Sequence, residues 1–136
     1  MNRKGFSLIE LMVVLIILGL IAAIVIPRTG LFTKKGSIQA AKQQITALKA
    51  ALEAFRADMG RYPSSDEGLK ALIENPDPNN TNFEQNGYLD KKKIPKDPWT
   101  NDYIYKSPGD HNTDYDISSK GPDGQAGTND DINSWE

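Results

Sequence analysis

Glu10 is the first residue whose chemistry asks for an explanation. It stands in a run, residues 6–26, that is otherwise apolar apart from Ser7. A carboxylate at the centre of a membrane helix costs about 2.5–3.5 kcal/mol by insertion scales, and it becomes tolerable when it meets a cation. The second group lies at the other end of the chain. Between positions 109 and 136 there are seven carboxylates against a single base, Lys120, with glycines at 121, 124 and 127. Such a loop repels itself unless something positive binds. Its Asp, Asn and Ser side chains and bent backbone carbonyls are hard oxygen donors suited to Ca²⁺, which takes about 6–8 oxygens at about 2.3–2.6 Å. The EF-hand pattern is missing, because its loop spacing, terminal Glu and flanking helices are not there. On composition alone, a solvated acidic turn without an ion stands beside the calcium reading.

Residues for catalysis are scarce. His111 is the sole histidine and reads as a loop residue. No Gly-x-Ser-x-Gly turn precedes a helix, and no paired carboxylates share an apolar setting that would raise one pKa. The absence of cysteine excludes disulfides, zinc-thiolate sites and a thiol nucleophile. The chain therefore reads as no enzyme. Tyr62, Tyr103, Tyr105, Trp99 and Trp135 read as packing in a domain this small.

The elements that must position these residues follow from periodicity. At about 1.5 Å per residue, a helix over residues 6–26 spans roughly the 30 Å hydrocarbon core. Arg3 and Lys4 precede it, so the positive-inside rule leaves the N-terminus in the cytoplasm and carries the remainder across the membrane. A discarded secretory signal, cut near Ala22 and Ala23, is the competing reading. Glu10 within the run and a helical pattern continuing past Pro27 favour retention. Gly19 and Pro27 weaken or bend the helix, so a hinge between them competes with the plain frequency of both residues in membrane helices.

Beyond a polar joint at residues 29–36, apolar residues recur at Ile38, Ala41, Ile45, Leu48, Leu52 and Phe55, one face of an amphipathic helix that Gly60 stops. Ser64 or Ser65 suits the cap of a short helix with the acidic Asp66 and Glu67 in its first turn. Residues 75–82 are loop by composition, and residues 102–106 and 114–118 form an antiparallel strand pair around a turn at 107–112. The expected fold class is α+β: a long N-terminal helix lying on a small antiparallel sheet. With 136 residues there is room for one small domain, and a net charge of −2 gives no field for nucleic acid.

The heptapeptide Lys4-Gly5-Phe6-Ser7-Leu8-Ile9-Glu10 resembles the type IV pilin-like leader junction. Three further stretches resemble the major pseudopilins of type II secretion systems more closely than pilins in general. They are Arg61-Tyr62-Pro63 through Leu72, Pro95-Lys96-Asp97-Pro98-Trp99-Thr100-Asn101-Asp102-Tyr103, and Ser119-Lys120-Gly121-Pro122-Asp123-Gly124 through Ile132. Thr100 departs from the family, where glycine is common, and Lys120 stands where an apolar residue is usual.

The resemblance implies a leader over residues 1–5, an assembly helix over 6–28 and a periplasmic domain over 29–136. Prepilin peptidase would cut between Gly5 and Phe6, Phe6 would be N-methylated, and Glu10 would serve in assembly by meeting the freed Phe6 amine of a neighbour. Loss of Arg3 and Lys4 leaves 14 basic against 18 acidic side chains, a net of −4. The resemblance also implies Ca²⁺ held by Asp123, Asp130 and Asp131 with the main-chain carbonyls of Lys120 and Gln125. The implied role is the major structural subunit of the pseudopilus, a helical homo-oligomer growing from the bacterial inner membrane to drive export across the outer membrane. Implied partners are minor pseudopilins, the inner-membrane assembly platform and prepilin peptidase. A type IV pilus subunit for adhesion or motility, and a membrane-anchored calcium-binding protein, are the alternatives.

Overall fold

The computed structural model describes residue 5, residues 7–25 and residues 34–136, and it divides into two compact units, Met1–Thr33 and Lys34–Glu136.

In the first unit, helix α1 covers Leu8–Val25. Ser7 caps it: the Glu10 amide donates to Ser7 Oγ at 3.3 Å and the Leu11 amide to Ser7 O at 3.2 Å. Apolar side chains surround the helix, with Leu8, Ile9 and Leu20 all more than half exposed in the isolated chain. Its 18 residues rise about 27 Å, and among the described residues no helix is long and apolar enough to cross a membrane. The rest of the expected 6–28 span, namely Phe6, Pro27 and the residues beside it, lies outside the described residues. So do Arg3 and Lys4 of the leader and most of the expected joint at 29–36. The helix runs through Gly19 to Val25 without a break.

In the second unit, helix α2 covers Lys34–Met59, beginning inside the expected joint, so that Gly36 falls in the first turn. Its Ala, Lys, Gln, Leu and Glu content favours helix. Gly60, at φ +77°, ends it by donating its amide to Arg56 O at 2.8 Å. Ala41, Ile45, Leu48, Leu52 and Phe55 are buried along one face, as the three-and-four spacing predicts, whereas Ile38 is 36% exposed at the start of that stripe. The face packs on Leu69, Leu72, Tyr103, Tyr115, Ile117 and Ile132. Phe55 meets Phe83 and Tyr88 edge to face, with centroids 6.4 and 5.5 Å away.

Residues Gly68–Leu72 form a 3₁₀ helix that starts beyond Asp66 and Glu67, the acidic residues expected in its first turn. Ser64, and not Ser65, makes the cap, but on the turn ahead of it. Ser64 N donates to Glu67 Oε2 at 2.8 Å and Glu67 N donates back to Ser64 Oγ at 3.3 Å. A second 3₁₀ turn, Asp90–Lys92, holds Lys91 and Lys92 at positive φ, 62° and 48°.

Three strands, β1 (Ile104–Lys106), β2 (Asp116–Ser119) and β3 (Ile132–Asn133), form an antiparallel sheet in that order. The first two lie within or beside the expected segments, with Tyr105 opposite Ile117, and β3 was not foreseen. Outside β1, Ser65 Oγ accepts the Ser107 amide at 2.9 Å and donates to Ser107 O at 3.0 Å, while Tyr105 OH donates to Pro63 O at 2.8 Å. The expected α+β class, a long helix on a small antiparallel sheet, is what the molecule has.

Candidate functional site

The acidic loop leaves β2 at Ser119 and returns into β3 at Ile132, two residues paired across the sheet. The sheet therefore fixes both ends of the loop. Within it, Thr128 Oγ1 lies 2.5 Å from Asp130 Oδ1, 3.3 Å from Asp131 Oδ1 and 3.1 Å from Gln125 O. Three of the five residues expected to hold an ion thus point an oxygen at one hydroxyl. Asp123 sits beside them: its amide donates to Asp130 Oδ2 at 3.1 Å, and its own Oδ1 accepts the Gln125 amide at 2.8 Å in an Asx turn. Asp131 Oδ2 accepts the Gly127 amide at 2.7 Å. Lys120 is half-buried at the loop's entry, but nothing links its carbonyl to this convergence.

The electrostatics leave the loop short of positive charge. Among the described residues, none of the ion pairs includes Asp123, Asp130 or Asp131. The Thr128 hydroxyl, above all, holds the Asp130 carboxyl below its ordinary range, with the Asp123 amide assisting against slight burial. Among the described residues no three acidic side chains gather closely enough to hold a metal ion unaided. The donor set is nonetheless all oxygen, two carboxylates and a carbonyl on one point, and those residues fit a hard cation that completes its shell with further carbonyls and water.

Two buried carboxylates escaped the sequence reading. Asp116 accepts the amides of Asp110, His111 and Asn112 at 2.7–3.0 Å and approaches His111 Nδ1 at 3.2 Å. Burial pushes its carboxyl up, and those amides together outweigh it and hold the carboxyl low. His111 is a loop residue, as expected, stacked on Trp135 at 3.9 Å. Asp97 is 3% exposed and accepts from Trp99, Asn101 and Ser119. A polar side chain ahead of a Pro-Trp turn was the available signal. Thr128 was also missed, although a hydroxyl two residues before paired aspartates is a local acceptor pattern.

At the other site, Glu10 occupies the first turn of α1, three residues after its cap, where a negative charge also suits the helix dipole. Its carboxylate has no hydrogen-bond or ion-pair partner among the described residues. Gly5 is exposed with open space around it. Phe6 lies outside the described residues, so the Phe6 amine has no described position.

The Prokaryotic N-terminal methylation motif matches residues 1–26, and the family Type II secretion system (T2SS), protein G, matches residues 31–135. The chain belongs to the type II secretion system protein G family. It is 42% identical to type II secretion system core protein G of Escherichia coli (strain K12), over 98% of this chain and 92% of that protein. It is 44% identical to the core protein G of Vibrio cholerae serotype O1, with the same coverage of both chains. The crystal structure of the major pseudopilin from the type 2 secretion system of enterohaemorrhagic Escherichia coli is similar in fold at TM-score 0.65 and 39% identity, covering 74% of this chain and 88% of that one. The resemblance read from the motifs is borne out: this is a major pseudopilus subunit with a type IV pilin-like fold.

Proposed function

We propose that the chain is made as a precursor, cut by prepilin peptidase between Gly5 and Phe6, methylated on the Phe6 amine, and held in the bacterial inner membrane by a single span with its domain in the periplasm. It then polymerises into the pseudopilus and performs no catalysis of its own. The observation that carries this reading is the pairing, in one chain, of the methylation motif over residues 1–26 with the protein G family over residues 31–135. Glu10 on the first turn of an apolar helix supports a register in which its carboxylate meets the Phe6 amine of the neighbouring subunit. Minor pseudopilins, the inner-membrane assembly platform and a cytoplasmic ATPase reached through them complete the set of partners, and nucleic acid has no place in it.

Calcium belongs to the same reading. Asp123, Asp130 and Asp131, with the carbonyls of Lys120 and Gln125, are the proposed ligands, supported by the convergence on Thr128 and by the loop's uncompensated charge. The ion supplies charge neutralisation and a cross-link between the two ends of the loop. The test of the whole scheme is the intact mass and N-terminal sequence of the protein recovered from inner membranes. Methylated Phe6 at the N-terminus is expected; an intact Met1, or a cut near Ala22, would overturn the scheme.

A further inference from the structure

Asp97 lies outside the acidic loop and contributes no oxygen to it, yet it is tied to the loop by two short steps. Its Oδ1 accepts the amides of Trp99 at 3.1 Å and Asn101 at 2.7 Å, which closes the turn carrying Thr100 at φ +72°. Its Oδ2 faces the sheet and accepts the Ser119 hydroxyl at 2.6 Å. Ser119 is completely buried, and its Oγ in turn accepts the Gly121 amide at 3.2 Å.

Gly121 is where the loop's outgoing strand touches its return. It is buried, at φ +62°, and a Cβ placed on it would overlap the Asp130 carbonyl and lie 3.2 Å from Asp130 Cγ. The Gly121 backbone therefore sets how far Asp130 stands from the loop's entry. On the neighbouring face, the Asn101 amide group lies 3.8 Å from where a Gly124 Cβ would be, so the turn organised by Asp97 also flanks the loop's first half. A hydroxyl that is fully buried and fixed at both ends has one available orientation.

We propose that Asp97 is a positioning residue for the acidic loop: through Ser119 and Gly121 it sets the place of Asp130 before any cation arrives, and so sets cation affinity without touching the ion. The part concerning affinity rests on the calcium reading above; the part concerning loop geometry does not. Such supporting groups typically change metal affinity about 10–100-fold when altered. The competing role is local, with Asp97 only closing its own turn.

Asp97→Asn separates the two roles. Its side-chain oxygen still accepts the Trp99 and Asn101 amides, but an NH₂ facing Ser119 is unable to accept the hydroxyl proton. The experiment is hydrogen exchange of the full chain in detergent, read by mass spectrometry with chelator present, together with calorimetric titration with calcium alone. Exchange over residues 120–131 should rise at least about tenfold in Asp97→Asn and in Ser119→Ala, and calcium affinity should fall by about tenfold, while α2 and residues 97–103 exchange as in the parent. The double variant should be no looser than the looser single one. Parental exchange over 120–131 in both single variants would overturn the proposal, as would loosening confined to residues 97–103. If Asp97→Asn does not fold, Ser119→Ala decides alone on the same criterion. A parent chain that binds no calcium would remove the calcium reading, and exchange in chelator would still decide the positioning role.

Discussion

The Arg61 guanidinium and the Glu67 carboxylate face each other through two parallel hydrogen bonds, Nη1 to Oε2 at 2.7 Å and Nη2 to Oε1 at 2.8 Å. The Arg61 bonds, first of all, hold the Glu67 carboxyl down to about 2 from an ordinary 4.5, with the Ser64 amide and hydroxyl also favouring the charged form and burial opposing it. A carboxyl with a lowered folded-state pKa contributes stability that is present above its unfolded value and lost as pH falls through the folded one. Arg61 is about half exposed, so screening reduces the pair to about 1 kcal/mol. Arg61→Ala should therefore lower the melting temperature at pH 6 and cost progressively less between pH 4.5 and pH 2. Melting curves of both proteins over that range test it, and a difference independent of pH would exclude this role for the pair.

Phe55 is fully buried and touches two rings edge to face. Truncation at such a position removes both the transfer free energy and the filling of the cavity. Phe55→Ala should destabilise the domain by about 3–5 kcal/mol, measured by denaturant unfolding. A loss below about 1 kcal/mol would mean that the Phe83 and Tyr88 rings collapse into the gap.

The acidic loop should respond to calcium as a stabilising ligand. At a free concentration one hundred times its dissociation constant, an ion bound only by the native state adds about 2.7 kcal/mol. Magnesium should substitute poorly, because it demands tighter octahedral geometry and gives up water reluctantly. Melting residues 34–136 with calcium, magnesium and chelator should give one raised curve and two lower ones, and Asp130→Ala should erase the difference. Three superimposable curves would identify a solvated turn.

Glu10→Ala should insert, be processed at the Gly5 junction and yet give few filaments. Losing the carboxylate eases insertion and leaves the proposed neighbour's amine unpaired. Filament yield counted by electron microscopy, beside processing followed by mass, checks this; parental yield would remove the register role.

How much was legible in the sequence depended on the range of the interaction. The buried face of α2 could be read because a repeat of three and four residues is a local record of what packs on one side. Gly60 could be read because a helix end at positive φ favours glycine. Strand β3 could not: Ile132 and Asn133 carry no alternation, and they are a strand only because β2 lies beside them. Lys91 and Lys92 at positive φ were equally invisible, since lysine gives no sign of that conformation. In the loop, Asp130, Asp131 and Gln125 were legible as a resemblance. Their meeting point, Thr128, and the buried Asp97 beneath depend on a fold that brings positions 97, 119 and 121 together.

The Ser65 and Tyr105 bonds along the outside of β1 bear on a hazard that any concentrated subunit faces. A sheet edge with free amides and carbonyls is a template for another chain's strand, and such pairing spreads into aggregates. Here the strand is only three residues long, it carries an exposed lysine, and Ser107 just beyond it already has both its backbone donor and its backbone acceptor engaged by Ser65. The segment running from Pro63 to Ser65 thus occupies one end of this edge, one of the two the sheet has. Loss of the Ser65 hydroxyl would free that donor and acceptor in every subunit at once, and would leave a neighbouring strand a place to begin pairing.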